Sequence, residues 1–149
     1  MVRFLIATHG FLANGFKSSI NVLMGEEIAQ KIDTINAFVE GGTDNPKAEI
    51  EKYCNELKQD DDLVIITDLM YGSVNQFALP YANNKNIHII SGANFPLICE
   101  IISKLTFGSE DIDDKVAVIN EAIEKAKEQI IYAKDLDTMG DDNEEDFFQ

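Results

Sequence analysis

What most restricts the fold of this chain is an alternation: apolar runs too short for helices recur between segments whose apolar residues repeat with helical period. Phe4, Leu5 and Ile6 form the first run, which reads as a buried parallel strand ending at Thr8, His9 and Gly10. Leu12, Phe16, Ile20 and Leu23 then recur at helical spacing, with Gly25 as C-cap, predicting a helix over Phe11–Met24. Lys31–Phe38 supplies a second strand, followed by a loop of Gly41 to Asn45 and a short helix that opens at Pro46 and runs through Tyr53 and Leu57. Leu63–Thr67 is the clearest buried strand, and it ends at Asp68, just before the turn-like Tyr71, Gly72 and Ser73. A helix from Val74 carries Phe77 and Ala78 inward until Pro80 bends or ends it, and Ile87–Ile90 gives a fourth strand before a loop at Ser91 to Asn94. Pro96 suits the start of a helix over Leu97–Leu105, and Asp113 to Lys127 has helical period through Val116, Ile119 and Ile123. Ile130, Ile131 and Tyr132 favour strand over helix, so Gln129–Tyr132 reads as a short terminal strand.

Strands and helices in this order specify a doubly wound α/β domain, a mainly parallel sheet covered by helices on both faces. Such sheets gather the carboxyl ends of their strands along one edge, so His9, Asp68 and the Ser91 to Asn94 loop are expected to meet there. That convergence decides the chemistry. A neutral imidazole has one ring nitrogen with a free lone pair, and it becomes a usable phosphoryl acceptor when its other nitrogen is held as N–H by a fixed acceptor. Asp68 is placed for that role, while Ser73 and the amides of Gly72 and Ser73 at a helix start are candidate donors to phosphoryl oxygens. Gly10 follows the nucleophile directly and joins this group. His88, inside a strand, reads instead as a core or sheet-face residue.

Other function classes find little support. The chain has no G-x-x-x-x-G-K-[ST] loop, no G-x-G-x-x-G after its first strand and no G-x-S-x-G elbow, which argues against nucleotide, dinucleotide and serine-hydrolase chemistry. No cofactor is indicated, and two histidines with two scattered cysteines show no metal-ligand spacing. A formal net charge of −15 repels nucleic acid and anionic lipid. The apolar runs fall well short of the roughly 20 residues of a membrane span, and the first residues lack the pattern of a signal peptide. Cys54 and Cys99 read as reduced core thiols, and with them the expected location is the cytoplasm.

Three segments together carry a family resemblance: Ala-Thr-His-Gly (Ala7 to Gly10), Thr-Asp-Leu-Met-Tyr-Gly-Ser-Val-Asn (Thr67 to Asn75) and Gly-Ala-Asn-Phe-Pro-Leu (Gly92 to Leu97). In their order and spacing the chain resembles, over residues 1 to 134, the mannose-type (mannose/fructose/sorbose) EIIA components of the bacterial phosphoenolpyruvate-dependent sugar phosphotransferase system. The resemblance implies that His9 receives a phosphoryl group from the carrier protein HPr and passes it to a histidine of EIIB, during coupled sugar uptake and phosphorylation. It matches Asp68 to the aspartate that hydrogen-bonds the imidazole and Ser73 to the serine beside the phosphoryl group. It further implies a homodimer that exchanges a C-terminal strand, which would make Gln129–Tyr132 an antiparallel edge strand of the partner subunit's sheet. Contact with the membrane components EIIC and EIID would run through EIIB. The family's usual Gly-Gly-Ser-Pro is replaced here by Tyr71, Gly72, Ser73 and Val74, a bulkier loop.

Residues 135–149 are dominated by like charge without an apolar period, and are expected to form an acidic, exposed tail, with EIIB as a separate polypeptide. Three alternatives use the same strand ends. One is a flavodoxin-like binding domain for a small anion or flavin. The second is a regulatory domain in which phosphorylated His9 only switches a docking surface. The third is the phosphotransferase subunit that serves dihydroxyacetone kinase, which the Thr-His-Gly and Thr-Asp-Leu contexts resemble less.

Overall fold

Within the first apolar run, Phe4 and Ile6 belong to one face and Leu5 and Ala7 to the other, and all four are buried. A strand with two dry faces needs helices on both. The computed structural model, which describes residues 1–108 and 114–134, supplies them. Strands β1 (Val2–His9), β2 (Ile32–Ala37), β3 (Asp62–Thr67) and β4 (Ile87–Ser91) pair in parallel in the order β2-β1-β3-β4. Helices α1 (Leu12–Met24), α2 (Glu26–Ala29), α5 (Phe95–Phe107) and α6 (Lys115–Glu128) cover the face of Phe4, Ile6, Val64 and Ile66. Helices α3 (Pro46–Asn55) and α4 (Ser73–Ala78) cover the face of Leu5, Ala7, Leu63 and Ile65. This is the doubly wound α/β architecture.

Helix boundaries follow from local chemistry. The Asn45, Asn94 and Asp114 side chains accept hydrogen bonds from the amides three residues on, at 3.1, 2.9 and 2.9 Å, and so cap α3, α5 and α6. Pro46 and Pro96 occupy the first helical turns that follow, where the missing N–H costs nothing. Pro80 lies in a 3-10 turn over Leu79–Tyr81 that ends α4. The one-turn helix α2 is too short to show an apolar period in sequence.

The chain winds from β1 to β2 on one side, then crosses to β3 and β4 on the other. The strand order therefore reverses between β1 and β3, and the crevice beyond their carboxyl ends is where such folds bind ligands. Gln129–Tyr132 departs from expectation: Gln129 closes α6, and Ile130, Ile131 and Tyr132 pair with no strand of this chain and stand 78%, 47% and 66% exposed. High β-propensity makes no strand without a neighbouring backbone to pair with. Residues 135–149 lie outside the described residues. Cys54 and Cys99 are free thiols, and burial pushes Cys54 up to about 11, which keeps it a protonated, unreactive core group. No helix among the described residues is long and apolar enough to cross a membrane.

Candidate active site

The Thr8-His9-Gly10 sequence makes a very short passage from β1 into α1. The Thr8 hydroxyl accepts the Ala13 amide at 2.8 Å, so a residue still in the strand satisfies the first turn of the helix. Gly10 takes a φ of +58°, which glycine adopts freely, and its N–H continues the ladder to the Ala37 carbonyl at 2.8 Å. His9, the last residue of β1, is thereby held at the sheet edge with its side chain 39% exposed.

Asp68 follows β3 directly and reaches across to it. Asp68 Oδ2 lies 2.9 Å from His9 Nδ1 and accepts the His9 backbone N–H at 2.9 Å, while Oδ1 accepts the Leu69 N–H at 3.0 Å. Burial pushes the Asp68 carboxyl up, but the His9 backbone and ring hydrogen bonds, with that from Leu69, outweigh it and hold the group below the usual carboxylate range. An ionised carboxylate can only accept, so the proton of a neutral imidazole sits on Nδ1 and the lone pair on Nε2. Nε2 faces the opposite way, with Ser73 Oγ 3.4 Å from it.

The donors expected around a phosphoryl group are distributed differently from the sequence reading. The Gly72 amide is already given to the Leu69 carbonyl at 3.1 Å and the Gly10 amide to Ala37, so neither is spare. Gly72 contributes room instead: a Cβ there would sit 3.1 Å from the Leu69 Cβ and 3.5 Å from His9 Cε1, crowding the ring. Ser73, first residue of α4, keeps both its hydroxyl and an amide that has no acceptor within the helix. The Ser91 to Asn94 loop does follow β4 at the same sheet edge, and the Ala93 amide bonds the Thr67 carbonyl at 2.9 Å. Asn94 caps α5 there.

Several site residues had escaped the sequence reading. Phe38 has its ring centroid 5.6 Å from that of His9 and 6.4 Å from that of Phe77. Asn75, 1% exposed, donates to the Thr67 hydroxyl at 3.0 Å and accepts the Tyr71 N–H at 3.2 Å, tying the Asp68-to-Ser73 loop to β3. An asparagine set among the apolar positions of a predicted helix was the available signal for it. Asn36, also buried, exchanges bonds with Thr43 and so shapes the loop that carries Phe38. His88, as expected, lies elsewhere on the sheet: its Nε2 is 3.0 Å from Asp62 Oδ1, whose other oxygen meets Lys115 Nζ at 3.0 Å.

The geometry can now be set beside known proteins. The family model described as EIIA-man, PTS system fructose IIA component, matches residues 3–120. A solved structure named for a phosphoenolpyruvate-dependent sugar phosphotransferase system permease, from Klebsiella pneumoniae, is 29% identical with a TM-score of 0.77, covering 89% of this chain and 91% of that one. The IIA protein associated with the fucose utilization operon of Streptococcus pneumoniae is 24% identical with a TM-score of 0.71, covering 91% and 95%. The mannose/sorbose-specific IIA subunit from Enterococcus faecalis is 18% identical with a TM-score of 0.61, covering 83% and 90%. These last two share the fold. None of the curated proteins matches the chain. A family model that spans most of the sequence, over a sheet edge that presents a histidine to solvent, settles the membership: the chain belongs to the mannose/fructose-type EIIA family of the sugar phosphotransferase system, whose members are phosphoryl carriers.

Proposed function

We propose that His9 is the phosphorylated residue, that it takes the phosphoryl group from HPr, and that it passes the group to a histidine of EIIB. The observation that carries this reading is the opposed pair of contacts on one ring: Nδ1 held by Asp68 at 2.9 Å and Nε2 turned toward Ser73 and solvent. In the forward step the Nε2 lone pair forms an N–P bond as the donor's N–P bond breaks, and the leaving imidazole keeps that electron pair. Positive charge grows on the His9 ring as the bond forms, and the Asp68 carboxylate stabilises it. The Ser73 hydroxyl and amide are the nearest donors for the phosphoryl oxygens.

Residues 1–134 form the carrier domain in this reading, and 135–149 an acidic tail. The dimer, with Gln129–Tyr132 paired to the partner subunit's sheet, belongs to the same proposal. The three exposed apolar side chains Ile130, Ile131 and Tyr132 support it, because such a segment gains most from a covering surface. Cytoplasmic location, and contact with EIIC and EIID through EIIB, complete the assignment. The test is to mix the protein with phosphoenolpyruvate, enzyme I and HPr and to measure acid-labile, base-stable phosphate. Wild type is expected to take up label and pass it to EIIB, and His9→Ala to take up none. Equal labelling of His9→Ala would refute the assignment.

A further inference from the structure

Two non-glycine residues among those described have a positive φ, Phe38 at +61° and Tyr71 at +62°. For a bulky L-residue this left-handed conformation is strained, and such strain persists only where surrounding contacts over-determine it. At Tyr71 those contacts are explicit: its N–H donates to Asn75 Oδ1 at 3.2 Å, and its carbonyl accepts from Gln76 Nε2 at 2.7 Å. The peptide is thus clamped on both sides. The side chain gains no burial in return and stands 72% exposed. Glycine would satisfy the same backbone at no conformational cost, so neither folding nor packing accounts for a tyrosine here.

The position of the ring does. Tyr71 lies in the loop between Asp68 and Ser73, which contact opposite nitrogens of His9, and is next to Gly72, which approaches the ring edge. Leu69 and Met70 beside it are 60% and 54% exposed. Resting on the relay reading above, we infer that Tyr71 is a specificity-determining residue that inserts into an apolar pocket next to the reactive histidine of the protein exchanging phosphate with His9. Transfer between two imidazoles requires both rings on one phosphorus, so the partner has to cover the surface around His9. A tyrosine on a clamped backbone, with few side-chain torsions to freeze, is an efficient anchor for such a contact. Its strain is the mark of that use.

The experiment compares Tyr71→Gly, Tyr71→Asn and Tyr71→Phe with wild type in the full chain. His9 is labelled once by phosphoramidate, too small to need a docking surface, and once by phospho-HPr, with onward transfer to EIIB followed separately. Expected for Gly and Asn is a fall of about tenfold in the ratio of protein-mediated to phosphoramidate rates in at least one protein step, carried by KM rather than kcat. Phe, which keeps the ring, retains the wild-type ratio. The Gly variant gains a melting midpoint higher by about 2–4 °C as strain is released. Ratios within twofold of wild type for both protein steps would overturn the inference, and so would a lowered midpoint for Gly. Wild-type protein that takes label from phosphoramidate but exchanges it with neither protein would sink the relay reading and this inference together, an outcome separate from a loss confined to the variants.

Discussion

Replacing Asp68 by alanine removes the acceptor from His9 Nδ1 and leaves Nε2 and Ser73 in place. The bond lost is a 2.9 Å contact to an ionised carboxylate, for which hydrogen bonds are worth about 1.5–3 kcal/mol. With the His9 side chain 39% exposed, water screens the pair and the lower part of that range applies, about 1.5–2 kcal/mol. The imidazole gains positive charge as the phosphoryl arrives, so most of this loss falls on the transition state. At 1.36 kcal/mol per decade, phosphorylation by phospho-HPr should slow by about 10–30-fold. Rapid-quench labelling measures the rate directly. A thermal melt in parallel establishes that the variant is folded, since Asp68 also accepts the His9 and Leu69 amides. Asparagine is a poorer probe: the three N–H groups that converge on the two carboxylate oxygens leave no place for a donating NH2. A folded Asp68→Ala that labels within threefold of wild type would remove the aspartate from the mechanism.

Asn75→Ala leaves the Tyr71 amide without its acceptor and the Thr67 hydroxyl without its donor, and should destabilise the protein by about 1–3 kcal/mol in urea unfolding. Asp62 is pushed up by burial, but the hydrogen bonds from His88 and Lys115, with their charges, overcome this and hold it below the carboxylate range. A depressed folded value gives stability that is complete above pH ~4, the unfolded value, and lost as pH falls through the folded one. The melting midpoint should therefore fall in acid below pH ~4, and Asp62→Asn should flatten that fall. Ile131→Asp places a charge in the apolar C-terminal segment and should shift a dimer to monomer in light scattering, whereas an unchanged dimer mass would remove that segment from the interface.

The strands were legible because each is an apolar run dry on both faces, a pattern that an exposed loop or a one-sided helix does not share. The pairing of His9 with Asp68 was legible for the same reason, since parallel order puts the ends of β1 and β3 side by side. What composition and period do not encode is how loops use their own polar groups. The Gly10 and Gly72 amides looked available, yet loop dihedrals turn them onto the Ala37 and Leu69 carbonyls. Phe38 could be placed at the end of a strand but not over the imidazole, because that depends on a backbone turn set by Asn36 and Thr43. Gly42 belongs to the same device: a Cβ there would meet the Asn36 carbonyl oxygen at 2.4 Å, so the loop closes only around glycine. The terminal Ile130 to Tyr132 segment has strand-forming side chains, but pairing needs a second backbone that this chain's own sheet does not offer it.

The central claim is that Asp68 reserves Nδ1 and frees Nε2 for phosphate. Nitrogen-15 and phosphorus-31 NMR of the phosphorylated protein, with labelled histidine, reads directly which ring nitrogen is bonded to phosphorus. The account predicts a phosphorus coupling to Nε2 of His9 and a protonated Nδ1. Coupling to Nδ1, or phosphate on a residue other than His9, would contradict it.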